Sequence, residues 1–352
     1  MEFLLDIVEF LLQAIILLGV FLIAVAGVVA ISQRRRGTSG EGAVEARSLN
    51  DRFEDQREAV RAITEDTATA KARAKAKKQA EKEKKKAAKK ASKGSGPEAS
   101  ARPKVYVLDF DGDIQASQVE QLREEISALI PLAGDSDEVL VRLESGGGAV
   151  HGYGLAASQL VRLKDAGIKL TVAVDKVAAS GGYMMACVAD TIIAAPFAII
   201  GSIGVVAQVP NFHRLLKKND IDFELHTAGK YKRTLTLFGE NTDKAREKFQ
   251  ADIDDIHVLF KQFVSTNRAA LDIEAVSTGE YWFGQRAIDR GLVDRLCTSD
   301  AYLLERCDDC DLVEVRYQTK RGWQEKLGMA AEAVIERSVK RLLKTEQDQR
   351  FL

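Results

Sequence analysis

The chain has 352 residues, enough for two ordinary domains or for one large domain with appendages. Its 51 lysines and arginines balance 52 aspartates and glutamates, and the net charge of −1 excludes a simple basic nucleic-acid binder. Four cysteines exclude a disulfide scaffold, and a hydrophobic content of 46% argues against wholesale disorder.

The first predicted element is a membrane-spanning helix. Residues 10–31 contain no charged side chain and one polar side chain, Gln13. A helix of this length spans the roughly 30 Å hydrocarbon core of a bilayer. The preceding residues lack lysine and arginine, which favours an uncleaved anchor over a cleaved signal peptide. We therefore expect an N-terminal anchor over residues 1–36, and arginines at 34–36 favour a cytoplasmic location for the rest of the chain.

A charged, low-complexity linker is predicted over residues 37–103. Between Lys71 and Lys93, 12 lysines and arginines against two glutamates give a local charge of +10. A helix here would be polar on all sides, which indicates a solvated, partly helical tether. Binding to anionic lipid remains an alternative. Specific nucleic-acid binding is not expected, because the tract has no interleaved aromatic side chains.

Residues 104–352 alternate strand and helix signals, which predicts an α/β domain. Strands are predicted at 105–110, 138–145, 168–177, 190–196 and 221–227. Helices are predicted near 119–130, 153–165, 211–219, 242–270 and 324–346.

Two glycine clusters lie where a predicted strand passes into a helix. They are Gly146–Gly148, which follows Ser145, and Gly181–Gly182, which follows Ser180. They are either ordinary tight turns or a source of free backbone N–H groups for an oxyanion hole. A phosphate loop is disfavoured, because neither cluster matches the glycine-rich nucleotide motifs.

A serine nucleophile needs a base, and the spacing leaves two types open. His151 is the histidine placed nearest the first glycine turn, but a lone histidine is more often structural. Lys232 follows the predicted strand at 221–227 and can act as a base only if its environment favours the neutral amine. On the residues alone, Lys232 is a solvated loop lysine.

Five motifs in one order carry a family resemblance. They are Glu-Ser-Gly-Gly-Gly (144–148), Ala-Ser-Gly-Gly-Tyr (179–183), Gly-Ser-Ile-Gly-Val (201–205), Gly-x-Tyr-Lys (229–232) and Gly-Gln-Arg-Ala-x-x-x-Gly-Leu-Val-Asp (284–294). This order resembles the signal peptide peptidase A (SppA)/SohB family, and the anchor with its charged linker most resembles the SohB branch. The resemblance implies a ClpP/crotonase-like spiral of ββα units for residues 104–352, a fold that oligomerises into rings.

The resemblance also implies a role for each matching residue. Ser180 matches the nucleophile and Lys232 the general base of a Ser/Lys dyad, with Lys230 as the near-miss alternative. Gly181 and Gly147 match the oxyanion-hole amides, with Gly148 as a further candidate for the second. Ser202 matches a hydroxyl that supports the dyad. Gly146 stands where the family usually has proline.

The resulting hypothesis is a membrane-anchored serine endopeptidase that cleaves signal peptides or fragments of unfolded or membrane proteins. It needs no metal or other cofactor, forms a homo-oligomeric ring, and lies in the bacterial inner membrane with one span. The face of the membrane on which the domain lies stays open, because the charges favour the cytoplasm and the resemblance allows the periplasm. The alternatives are a crotonase-like acyl-CoA enzyme and an inactive ring-forming membrane scaffold.

The cysteines show CxxC spacing at Cys307 and Cys310, with Cys297 nearby. A zinc ribbon needs a second close pair, which the sequence lacks. Ordinary thiols are therefore the favoured interpretation, and Cys187 is expected in the core.

Overall fold

The long strands of the domain are apolar on both faces, which is typical of parallel strands buried between two layers. In β2 (Lys104–Gly112), Val105 and Val107 enter one core, whereas Leu108 and Phe110 enter the other. Neighbouring β3 (Glu138–Ser145) divides its apolar side chains in the same way. The period-2 alternation in the sequence therefore builds a two-sided sheet.

The computed structural model describes residues 42–66, 68–73, 75–76, 79, 82–83 and 102–318, of which Val44–Tyr317 form one unit. The other strands are β1 (Ala43–Ser48), β4 (Lys169–Val174), β5 (Val177–Ala179), β6 (Thr191–Ala194), β7 (Ile199–Gly201), β8 (Tyr281–Phe283), β9 (Arg295–Leu296) and β10 (Asp311–Gln318). The helices are α1 (Leu49–Thr64), α2 (Val119–Leu129), α3 (Val150–Asp165), α4 (Gly181–Ala186), α5 (His213–Lys218), α6 (Asp243–Asn267), α7 (Ile273–Val276), α8 (Gly284–Ala287) and α9 (Ser299–Arg306).

The sheet has a main path and a branch. The main path runs β1-β10-β2-β3-β4-β6-β9, and its pairs from β10 to β9 are parallel. The branch begins at β5, which pairs in parallel with both β3 and β7, and β7 pairs antiparallel with β8. The predicted α/β class is confirmed. The single strand predicted at 168–177 is divided into β4 and β5, because the chain changes partners between them.

Residues 43–64, which the sequence analysis placed in the linker, add a strand and a helix to the domain. Strand β1 is the neighbour of β10, and Leu49 is buried. The Asn50 side chain donates to the carbonyls of Cys307 and Cys310 at 3.0 Å each and accepts from the amide of Leu312 at 2.7 Å. The buried Leu49 side chain and the Asn50 side-chain amide thus attach this highly charged segment to the domain. The remaining division into anchor, linker and domain stays a prediction.

The structure differs from the sequence prediction at 221–227, and two predicted helices lie outside the part that it describes. The strand predicted at 221–227 is wrong, because these residues form no regular secondary structure and expose Phe223 and Leu225. The anchor at 10–31 and the helix at 324–346 lie outside the described residues. No helix in the described part of the chain is long and apolar enough to cross a membrane.

A buried carboxyl lies on α2, at the end of strand β10. Glu125 is 5% exposed, and its Oε1 accepts the Tyr317 amide at 2.7 Å. Its Oε2 has no hydrogen-bond partner among the described residues. Burial, reinforced by the charge of Asp109, raises the pKa of Glu125 to about 7 against the opposing hydrogen bond from Tyr317 and the charge of Arg316. Ionising Glu125 therefore costs more in the folded chain than in the unfolded chain.

This shift predicts that stability falls as the pH rises from about 4.5 to about 7, the interval between the ordinary pKa of the group and its folded value. Glu125→Gln keeps an acceptor for Tyr317 and removes the charge. We expect it to match the wild type at about pH 4 and to exceed it at about pH 8 by on the order of 1–3 kcal/mol in denaturant unfolding. Glu120→Gln on the exposed face of α2 is the control, and equal behaviour of both variants would contradict the assignment.

Candidate active site

Two strand-to-helix turns meet at one edge of the sheet. Strand β3 ends at Ser145 and β5 ends at Ala179, and their parallel pairing sets Ser145 opposite Ala178. The carboxyl ends of parallel strands meet at a common edge, where ligands of α/β proteins usually bind. The pairing brings the two predicted glycine turns together.

Ser180 occupies a strained backbone position directly after β5. Its φ of 53° and ψ of −118° lie where L residues are rare, and its amide donates to the carbonyl of Gly201 at 2.7 Å. Ser202, which follows the neighbouring strand β7, also has a φ of 53°. Strain of this kind costs about 1–3 kcal/mol per residue and clusters at functional sites. Both serines that the sequence singled out are therefore held in unusual conformations.

The two turns touch at Gly147. Its φ is +86°, and a Cβ there would lie 2.7 Å from both the Ser180 Cβ and the Gly181 nitrogen. A Cβ on Gly148 would lie 2.1 Å from the carbonyl oxygen of Ile114. Glycine is required at both positions, because the backbones approach too closely for a side chain.

Tyr153 on α3 packs beneath both turns. A Cβ on Gly181 would lie 2.4 Å from the Tyr153 ring, so the start of α4 rests directly on that ring. The Tyr153 hydroxyl donates to the Asp113 carbonyl at 2.7 Å and lies 2.5 Å from the Ser145 Oγ. Burial raises the pKa of Tyr153, which keeps this hydroxyl protonated. The Gly147 amide completes the chain by donating to the Ser145 Oγ at 3.0 Å.

An open cleft of about 840 Å³ lies above these turns. Ser180 and Ser202 line it, as do the glycines of both turns. The other walls are mostly apolar and include Ile114, Met184, Val205, Val206, Ile256 and Phe260, together with His257 and Thr278. A concave, largely apolar surface with a few polar groups is typical of a ligand site.

The candidate bases lie apart from this cleft. Lys232 is exposed on the loop where its amide donates to the Gly229 carbonyl at 3.1 Å, and its side chain makes no hydrogen bond or ion pair with a described residue. The ammonium of Lys230 lies 5.0 Å from the centre of the Tyr231 ring. His151 is exposed on α3 and does not line the cleft. The structure thus brings together Ser180, Ser202 and the glycines but not Lys232.

The four cysteines are free thiols. Cys307 and Cys310 are buried in the core that lies under α9, where both backbone carbonyls accept from Asn50. Cys187 is buried, and burial raises the pKa of its thiol to about 12. A thiol with a raised pKa is a poor nucleophile, which agrees with the predicted core position of Cys187.

Sequence reasoning missed three residues that shape the site: Ser145, Tyr153 and His257. Ser145 stands immediately before the first glycine cluster, and this position was the signal available for it. Tyr153 acts through contacts that exist only after folding. His257 lies on α6, far along the chain from the glycine turns, and no local motif marks it.

A strained serine beside two glycine turns, at the edge of a mixed α/β sheet, is an arrangement that suits nucleophilic catalysis by a serine. The chain belongs to peptidase family S49, whose N-terminal model matches residues 2–160 and whose second model matches residues 162–312. It is therefore a serine-type peptidase. The resemblance found in the sequence is confirmed.

Two similar proteins are also named as proteases. The chain is 52% identical to "Probable protease SohB" of Haemophilus influenzae over 92% of its own length and 91% of that protein. It is 64% identical to "Probable protease SohB" of Buchnera aphidicola subsp. Schlechtendalia chinensis over 58% of its own length and 67% of that protein.

A solved structure, a lysine-to-alanine mutant of the 1510-N membrane-bound stomatin-specific protease in complex with a substrate peptide, aligns with a TM-score of 0.39 at 13% identity. The alignment covers 64% of this chain and 96% of that one.

The contact between the turns predicts opposite results for two neighbouring glycines. Gly147→Ala places a Cβ 2.7 Å from Ser180 at a positive φ, so we expect a loss of at least about 2 kcal/mol in unfolding free energy and loss of casein hydrolysis. Gly146→Ala meets no atom within 4 Å and should retain both properties. Thermal unfolding and a casein assay test the pair, and a stable, active Gly147→Ala enzyme would rule out the contact.

Proposed function

We propose that Ser180 is the nucleophile of a Ser/Lys dyad with Lys232 as the general base. The observation that carries the proposal is the placement of Ser180. It is strained, it directly precedes α4, and it lines the cleft beside the glycine turn. The Ser180 Oγ would attack the peptide carbonyl carbon while the Lys232 amine takes its proton. The leaving amine would receive that proton, and a water activated by Lys232 would then hydrolyse the acyl-enzyme.

The oxyanion hole would combine an amide from each turn. Gly181 N–H, at the start of α4, makes no hydrogen bond with a described residue, so it is available to a substrate oxygen. Gly147 was the second predicted donor, but its N–H is engaged by the Ser145 Oγ. The neighbouring Gly148 N–H has no such partner among the described residues. This supports Gly148 as the second donor, with Gly147 setting the close approach of the turns.

The position of Lys232 supports self-association as part of the mechanism. A lysine base must be neutral, which burial promotes, whereas Lys232 is exposed here. The segment around it, residues 205–240, exposes large apolar side chains that one chain leaves uncovered: Val206, Val209, Phe212, Leu215, Ile221, Phe223, Leu225, Leu237 and Phe238. Such a surface is typical of a protein interface. We infer that copies of the chain cover this segment in a homo-oligomeric ring and bring Lys232 to Ser180, with Ser202 supporting the dyad.

The finer fold assignment is part of the same proposal. The branch of β5, β7 and β8 from the main sheet, with Ser180 directly after β5 and Ser202 directly after β7, supports the ClpP/crotonase-like spiral. Membership in a peptidase family favours peptide hydrolysis over the acyl-CoA alternative.

The apolar cleft walls favour hydrophobic peptide segments as substrates. Signal peptides and fragments of unfolded or membrane proteins fit this chemistry. An anchor at 10–31 would hold the enzyme in the bacterial inner membrane, close to such peptides.

The dyad predicts that Ser180→Ala and Lys232→Ala each lower casein hydrolysis by at least about 10³-fold, because each removes a group that acts in bond making. Lys230→Ala is the matched control and should retain most activity, since its ammonium lies against Tyr231. Undiminished hydrolysis by Ser180→Ala would reject Ser180 as the nucleophile, whereas absence of hydrolysis by the wild type would support the inactive scaffold. The same outcome for Lys232→Ala would reject only the base.

Mixing tests whether the dyad is shared between copies. Ser180→Ala and Lys232→Ala chains, inactive alone, are co-expressed and co-purified as mixed oligomers. If Ser180 pairs with Lys232 of a neighbour, random assembly at equal amounts restores about a quarter of the sites. If the dyad forms within one chain, the mixture stays inactive.

A further inference from the structure

Three exposed aromatic side chains pack on one another at the surface of the domain. Phe197 is 82% exposed, Tyr281 57% and Phe283 43%. The centre of the Phe283 ring lies 6.0 Å from that of Phe197 and 6.2 Å from that of Tyr281, with edge-to-face packing in both pairs. The three rings thus form one continuous apolar surface, which we name the aromatic patch. An exposed apolar patch of this kind marks a surface that binds something other than water.

The aromatic patch lies beside the cleft, at the edge of the sheet where the parallel strands end. Phe197 lies in the turn between the end of β6 and the start of β7. Strand β8 carries Tyr281 and Phe283, and the residues shortly before it, Thr278 and Gly279, line the cleft. Within the described part of the chain, β8 pairs only with β7. The patch and the cleft therefore share the carboxyl edge of the sheet.

The polypeptide enters the domain at this same edge. Strand β1 ends at Ser48, and the Asn50 side chain accepts the amide of Leu312 near the start of β10. Because β1 lies beside β10, its first residues lie toward the other end of that strand, near Tyr317. Strand β10 is parallel to β2, so its last residues lie at the carboxyl edge. Val44 therefore lies at the edge that carries the cleft and the aromatic patch.

The length of chain before Val44 sets how far this edge can lie from a bilayer. Residues 32–43 separate the anchor predicted at 10–31 from Val44. Twelve residues reach at most about 42 Å when fully extended, so the carboxyl edge stays within that distance of the membrane surface. The opposite edge lies farther along the sheet by the length of a strand, about 26 Å for the eight residues of β3. The attachment point thus favours the carboxyl edge as the side that faces the bilayer.

We propose that the aromatic patch binds the surface of the bilayer and turns the cleft toward it. The inference rests on the anchor that is part of the proposed function. Aromatic rings are favoured in the interfacial layer of a membrane, and an anchor in the same chain makes their binding intramolecular, so a weak contact suffices. In the exposed residues after Phe283, Arg286 and Arg290 outnumber Asp289, which suits anionic headgroups. An apolar peptide leaving the bilayer would then meet the cleft directly.

Quenching of tryptophan fluorescence by brominated lipid tests the contact in the full-length chain. The protein is reconstituted in vesicles of phosphatidylcholine and phosphatidylglycerol, with and without bromine on the acyl chains, and the unsubstituted chain gives the background from its own tryptophans. We expect the added emission of Phe197→Trp, and likewise of Tyr281→Trp, to fall by about half in brominated vesicles. Leu132→Trp is the matched control and should be unaffected. Leu132 is 66% exposed between α2 and the start of β3, at the opposite edge of the sheet.

Equal quenching at Phe197 and Leu132 would overturn the proposal. A blue-shifted, unquenched Phe197→Trp would also overturn it and would place the patch between copies of the chain. Flotation of the vesicles after an alkaline wash separates the patch from the anchor. A chain that floats but is not quenched at Phe197 has the anchor and lacks the contact, whereas a chain that does not float lacks the anchor, and the proposal fails with it. Neither result bears on Ser180, which the casein assay tests by itself.

Discussion

The site depends on a contact between two turns that leaves no room for side chains. A Cβ on Gly147 would lie 2.7 Å from Ser180, and one on Gly181 would lie 2.4 Å from the Tyr153 ring. The Tyr153 hydroxyl is hydrogen-bonded to the Ser145 Oγ, which accepts the Gly147 amide and so holds the first turn in place. Backbone packing rather than flexible side chains therefore fixes Ser180 relative to the amides around it. An oxyanion site benefits from such rigidity, since its donors need no reorganisation during the reaction.

The turns could be predicted from the sequence because each glycine cluster directly follows a recognisable strand, and parallel strands bring such clusters to one edge. The bonding state of each amide could not be predicted. It depends on where the Ser145 Oγ and the Tyr153 hydroxyl lie, and that is set by the packing of α3 on the sheet. The position of His257 in the cleft wall could not be predicted for a similar reason, because only tertiary packing brings α6 to the cleft.

The wrong strand at 221–227 and the exposed Lys232 have a common physical origin. Apolar side chains alternate with polar ones at 221–225, as Phe223 and Leu225 show, and such alternation indicates a strand with one buried face. Among the residues that the structure describes, however, no strand pairs with this segment and both side chains stay exposed. The proposed association of copies would bury this apolar surface, which the described part of a single chain leaves exposed. Lys232 lies on this same uncovered segment.

The attachment of β1 and α1 to the domain changes the role of the basic tract. Residues 65–103 connect α1 to β2, and both of these elements belong to the same folded unit. In chain order, the +10 tract therefore lies between two elements of the domain rather than before its first element. A fragment that starts at residue 104 would lack β1 and leave the edge of β10 unpaired. Unpaired strand edges promote aggregation. A fragment that starts before Ala43 keeps the Asn50 hydrogen bonds and a complete sheet.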